Sequence, residues 1–115
     1  MTERTVFFLS DQTGVTAETL GHSLLTQFTG QEFRQVTLPF IDSDDKANEA
    51  VTRINAAGKA DTLRPIVFST LVQDNLRGIV READGLHLDI FDVFLQPLEL
   101  EFQQESTHEP GRAHG

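Results

Sequence analysis

Four times in succession, a short apolar run gives way to a longer stretch whose apolar residues recur every three to four positions. That alternation is the mark of repeated βα units. A strand buried on both faces reads as continuous apolar sequence, while a helix lying over it shows a 3.6-residue stripe. The pattern constrains the chain strongly: every pair of strands is separated by a helix, so the strands run parallel and an antiparallel Greek key is disfavoured. With 115 residues, the chain fits one domain, of a size that buries about two thirds of its unfolded surface.

The first strand is expected over Thr5 to Ser10, where the run VFFL predicts burial on both faces. A helix from Val15 to Phe28 follows, with Ala17, Leu20, Leu24 and Phe28 as its stripe and Gly30 as its stop. The second strand, Glu32 to Phe40, sets Val36, Leu38 and Phe40 against Gln35, Thr37 and Pro39, the pattern of an edge strand. Asp42 or Ser43 caps the next helix, Asp44 and Asp45 complement its positive N-terminus, and Ala47, Ala50, Val51, Ile54 and Ala57 face inward. Gly58 lies near its end.

The third strand runs from Pro65 to Thr70, and a helix after Asp74 carries Leu76, Ile79, Val80 and Ala83 before Gly85 closes it. A fourth strand, Leu86 to Phe91, leads through Asp92 to a last helix with Pro97 in its first turn and Leu98 and Phe102 facing inward. The expected fold is therefore α/β: an open, mostly parallel four-stranded sheet with helices on both faces and strand order 2-1-3-4. Residues 1–103 form this domain, and the polar, Pro- and Gly-containing residues 104–115 form a tail or linker.

Charge narrows the partners. Nine Lys and Arg against 18 Asp and Glu give a net charge of −9, which argues against a nonspecific grip on nucleic acid or anionic lipid, since that needs clustered Lys and Arg. There is no Cys, so disulfides, thiolate nucleophiles and zinc-finger spacing are absent. No apolar run approaches the ~18 residues of a membrane span, and MTERT carries no secretory pattern; a cytoplasmic location is expected.

Ligands of open α/β sheets bind at the carboxyl ends of the strands, where the strand order reverses. In the order 2-1-3-4 that point lies between the first and third strands, whose exits carry Ser10, Asp11, Gln12, Thr13 and Gly14 on one side and Ser69 and Thr70 on the other. The stretch SDQTGVT suits a phosphate: Gly14 admits close approach, Ser10, Thr13 and Thr16 offer hydroxyls, and a helix N-terminus offers N–H groups. Asp11 opposes an anion unless a cation intervenes. The same residue types also cap helices and loosen turns, so the loop reads equally as a simple strand-to-helix connection.

SDQTGVT resembles the phosphate loop of flavodoxins, which implies flavin mononucleotide. That cofactor needs flanking aromatic surfaces; Trp and Tyr are absent, and Phe68 belongs to a buried strand. The four His, at 22, 87, 108 and 114, show no metal-ligand spacing, so no metal is expected, and His22 and His87 read as structural. The Walker pattern GxxxxGK[ST] is missing. In the tail, Arg112 offers a guanidinium for phosphate beside His108 and His114.

Taken together, RTVFFLSDQTGVTAETLGHSLLTQF, VTLPFIDSDDKANEAVTRINAA, RPIVFSTLV and PGRAHG resemble the N-terminal half of the pyruvate, phosphate/water dikinase regulatory protein family. The resemblance implies a bifunctional enzyme. It uses ADP to phosphorylate a Thr of phosphoenolpyruvate synthase, inactivating it, and uses inorganic phosphate to remove that group as pyrophosphate. It also implies that the nucleotide-binding loop lies in a second half outside these residues. On that basis ADP and phosphate serve the longer protein, and this stretch binds neither tightly and is inactive alone. Its SDQTG loop, with Arg112 and His114, helps form a phosphate or target surface. A non-catalytic domain that docks the synthase or a second subunit is the alternative.

Overall fold

The structure is a computed structural model that describes residues 3–109. Its elements are β1 (Arg4–Leu9), α1 (Val15–Leu25), β2 (Phe33–Leu38), α2 (Asp44–Asp61), β3 (Ile66–Ser69), α3 (Asp74–Val80), β4 (Leu86–Asp89) and α4 (Ile90–Phe102). The four strands form one parallel sheet in the order β2-β1-β3-β4, with β2 at an edge as its alternation predicts.

VFFL is buried along its whole length and feeds two cores. Phe7 and Leu9 point toward α2 and α3, where they meet Val67, Ile54 and Leu76. Val6 and Phe8 point the other way, toward α1, where Phe8 stacks on Phe68 with ring centroids 5.7 Å apart. At the N-terminal end of the sheet, the Thr5 hydroxyl donates to the buried Asp61 carboxylate at 2.6 Å, which also pairs with Arg34 at 3.4 Å. The buried charge is thus hydrogen-bonded as well as paired.

The α2 helix is built as its sequence indicates: Ser43 is the cap, its hydroxyl accepting from the Lys46 N–H, and Ala47, Ala50 and Ile54 are buried. The α1 helix departs from expectation. Its buried residues are Ala17, Gly21 and Leu25; of the expected stripe, Ala17 is buried and Leu20 packs against the core, but Leu24 and Phe28 are exposed. Close approach decides this, because a Cβ at Gly21 would stand 2.4 Å from Phe8 Cε1. A helix that packs its backbone onto a stacked Phe pair needs its smallest residues there, and the larger ones turn outward. The helix ends at Leu25 with Thr26 as cap, so Gly30 lies beyond its stop.

Two further boundaries move. The Phe40 backbone is left-handed, with φ 57°, which ends β2 at Leu38 and leaves the Phe40 side chain exposed instead of beside Val36 and Leu38. The α4 helix starts at Ile90, directly after β4, because the Asp89 carboxylate caps it by accepting from the Asp92 N–H at 3.1 Å. Pro97 therefore falls inside the helix, not in its first turn, and Leu98 and Phe102 face outward rather than inward. Residues 104–109 return toward the body: Ser106 N–H donates to the Glu99 carboxylate at 2.8 Å, and His108 Nδ1 lies 3.2 Å from the Val72 carbonyl.

Candidate functional site

The β1 and β3 exits meet at the reversal of strand order, as the topology rule requires. They are laced together by the Thr70 N–H, which donates to the Leu9 carbonyl at 3.0 Å. The β2 exit joins the same junction: Phe40 N–H donates to Gln12 O at 2.8 Å and Ile41 N–H to Ser10 O at 2.9 Å. Ser10, Asp11, Gln12, Thr13, Gly14, Ser69 and Thr70 are thereby brought to one end of the sheet, with Thr16 in the first turn of α1.

Within this group the hydroxyls divide by role. Ser10 Oγ accepts from the Gln12 N–H at 3.0 Å, and Ser69 Oγ accepts from the Leu71 N–H at 3.2 Å. The Thr70 hydroxyl donates to Leu9 O at 3.4 Å. All three side chains are buried; those of Ser10 and Ser69 shape their own turns, and that of Thr70 ties the β3 exit to β1. Thr13 is exposed, and Gln12 and Thr16 are half-buried, so these three stand nearest to solvent. Asp11 is buried.

Gly14 caps α1 with φ 92° and, lacking a side chain, makes no side-chain cap hydrogen bond. Glycine is required twice over here: the left-handed backbone disfavours any Cβ, and a Cβ would meet Thr37 Cγ2 at 2.8 Å. The Thr37 hydroxyl donates to the Glu18 carboxylate on the same turn of α1. The loop carries Asp11 and leads into Glu18 in the first turn of α1, and these two carboxylates oppose an anion unless a cation comes from elsewhere. Arg112 and His114, the residues singled out for that role, lie outside the described residues.

A charged cluster at the β4 exit was not legible in the sequence. The Arg77 guanidinium on α3 reaches Asp89 at 2.7 Å, Asp92 at 2.9 Å and Asp74 at 3.2 Å, and Arg81 pairs with Asp89 at 3.2 Å. Burial by itself would lower the Arg77 pKa, but hydrogen bonds and charge from Asp89 and then Asp92 outweigh it and raise the pKa above that of a free guanidinium. Only the Arg77/Arg81 spacing of four residues hinted at a shared helix face. The cluster holds β4, α3 and α4 together.

His87 bonds the Ala83 carbonyl at 2.8 Å, a structural role, and His22 is exposed on α1. Phe68 is buried in the core, so it offers no platform for a flavin ring. Among the described residues no group of three or more His, Cys, Asp or Glu is placed to hold a metal, and no helix is long and apolar enough to cross a membrane.

Fold and site together define an open parallel α/β domain whose β1–α1 loop lies at the reversal of strand order. Comparison with known sequences places the chain further: residues 6–115 match the kinase/pyrophosphorylase family, and the chain belongs to it. A relative from Herminiimonas arsenicoxydans is 55% identical over 111 residues, covering 96% of this chain and 39% of its own. One from Janthinobacterium sp. (strain Marseille) is 56% identical with the same coverage, and one from Alkalilimnicola ehrlichii is 50% identical across 100% of this chain and 42% of its own. Each bears the name "Putative phosphoenolpyruvate synthase regulatory protein". The chain thus spans about 40% of the length of the curated relatives it matches.

Proposed function

We propose that these residues are the N-terminal domain of a regulatory enzyme that acts on phosphoenolpyruvate synthase. In one direction the β-phosphoryl group of ADP passes to a Thr hydroxyl of the synthase, leaving AMP. In the other, inorganic phosphate takes that group from the phosphothreonine and departs as pyrophosphate. The SDQTG loop contributes backbone N–H groups and the Thr13 hydroxyl to a phosphate, and Arg112 and His114 help balance the charge of Asp11 and Glu18. Phosphoryl transfer depends chiefly on positioning and on stabilising spread negative charge, which a rigid loop at a helix N-terminus can supply.

The observation that carries this reading is the α1 N-terminus: at the strand-order reversal it begins at a Gly in the left-handed conformation, without a side-chain cap. Membership of the kinase/pyrophosphorylase family supplies the reaction class. The test joins residues 1–115 to the remainder of the H. arsenicoxydans relative and assays the synthase with ADP and, separately, with phosphate. Thr13→Val in the joined protein is expected to lower both rates about tenfold, the effect of roughly 1.4 kcal/mol of lost transition-state hydrogen bonding. The 115-residue chain alone is expected to show no turnover. Unchanged rates in Thr13→Val would remove the loop from the chemistry, and turnover by the short chain would overturn its dependence on the rest of the protein.

A further inference from the structure

The α4 helix turns apolar residues to both sides. Its inward side carries the buried Ile90 and, packed against the same core, Phe91, together with Asp92 beside Arg77 and Glu99 beside Ser106. Its outward side carries Val93, Phe94, Leu98, Leu100 and Phe102, from 46% to 81% exposed, with Pro97 among them. A surface helix ordinarily places its apolar stripe against the core and its charges in water. Next to it, Leu86 and Leu88 on β4 share a sheet face with Ile66 and Phe68, their register partners. That face carries α1 over β1 and β3, yet both leucines remain more than a third exposed. So many exposed apolar side chains on one helix and the strand beside it mark an interface on a small domain.

We propose that the outward face of α4, with the β4 leucines, is the seat of the rest of the longer polypeptide: the apolar face of the region that the curated relatives carry outside the matched stretch. The relatives devote about 40% of their length to the part shared with this chain, which leaves a larger body of protein available to cover an apolar face. Charge argues against a second copy, because each chain carries −9 and pairing two α4 faces would bring two acidic bodies together. The polar anchoring of the inward side, through Arg77 and Asp89, fixes α4 with its apolar face outward before anything covers it. This inference rests on family membership and not on the phosphoryl-transfer reading.

The chain has no Cys, so a single one can be placed at will. Leu100→Cys, at the most exposed position of the stripe, is labelled with maleimide in the 115-residue chain and in the protein joined to the remainder of the H. arsenicoxydans relative. Glu49→Cys on the exposed side of α2 is the control. Leu100→Cys is expected to label as fast as the control in the short chain and at least tenfold slower in the joined protein, with the control unchanged. Equal labelling of Leu100→Cys in both proteins overturns the proposal. So does slow labelling in the short chain that strengthens with concentration, since a second copy would then be the occupant. Amide exchange over residues 93–102 in the unsubstituted proteins gives the same reading without a substitution, and neither measurement involves ADP or the synthase.

Discussion

Replacing Gly21 by Ala adds one methyl group to the tightest point between α1 and the sheet. In an ordinary helix interior the change stabilises by roughly 0.5–1 kcal/mol, because Ala loses less backbone entropy than Gly. Here the new Cβ would stand 2.4 Å from Phe8 Cε1, 3.1 Å from Phe68 Cδ2 and 3.2 Å from Phe8 Cδ1. Those rings are stacked and almost wholly buried, so neither can swing aside without opening the core beneath α1. Overpacking of this kind costs about 1–3 kcal/mol, and the first of these distances puts it at the upper end. The helix-propensity gain offsets part of that, leaving a net loss of about 2 kcal/mol. Gly78, exposed within α3, has nothing within 4 Å of a built Cβ, so Gly78→Ala should stabilise by about 0.5–1 kcal/mol. Urea unfolding of the two variants beside the parent, read as midpoints at constant slope, gives both values. If Gly21→Ala proved as stabilising as Gly78→Ala, the close approach of α1 to the Phe pair would not be what selects the helix face.

Three further outcomes are expected. Asp89→Ala removes the α4 cap and one of three carboxylates on Arg77 and should cost about 2–3 kcal/mol in urea unfolding; a loss under about 0.5 kcal/mol would leave α4 anchored by something else. The Glu99 carboxyl is held below its ordinary value of 4.5, first by the Ser106 backbone N–H. Its stabilisation of the returning segment is therefore complete above 4.5 and fades as pH falls below it through the depressed value. The Ser106 amide shift should titrate with a midpoint below 4.5, and a midpoint at or above it would show that the contact does not form in solution. Because the left-handed Phe40 backbone costs a non-Gly residue about 1–2 kcal/mol, Phe40→Gly should be about 1 kcal/mol more stable than Phe40→Ala, which loses the ring but keeps the backbone cost. Equal midpoints would place φ at 40 outside the left-handed region.

By itself the sequence determined the element order, the parallel sheet, the 2-1-3-4 strand order and the gathering of the SDQTG loop with Ser69 and Thr70 at one end. These follow from local signals: continuous apolar runs, helical periodicity, a Ser cap, and the rule that places strand exits at a reversal. It also ruled out the aromatic walls of a flavin site as they would be built from Trp or Tyr. What it misjudged were the faces of the two helices whose packing obeys distance and charge instead of hydropathy.

In α1, Ala17 and Leu20 meet the core as their stripe predicts, but Leu24 and Phe28 turn outward and Gly21 governs, because the cost of a clash depends on how near another element comes. In α4, Leu98 and Phe102 were assigned inward, yet Asp92 and Glu99 turn in beside the cap Asp89, because Arg77 on α3 and Ser106 just past the helix stand there to bond them. Periodicity along one segment records which residues share a face. Which face meets the body is fixed only when the partner residues, their charges and their separations are assembled in three dimensions.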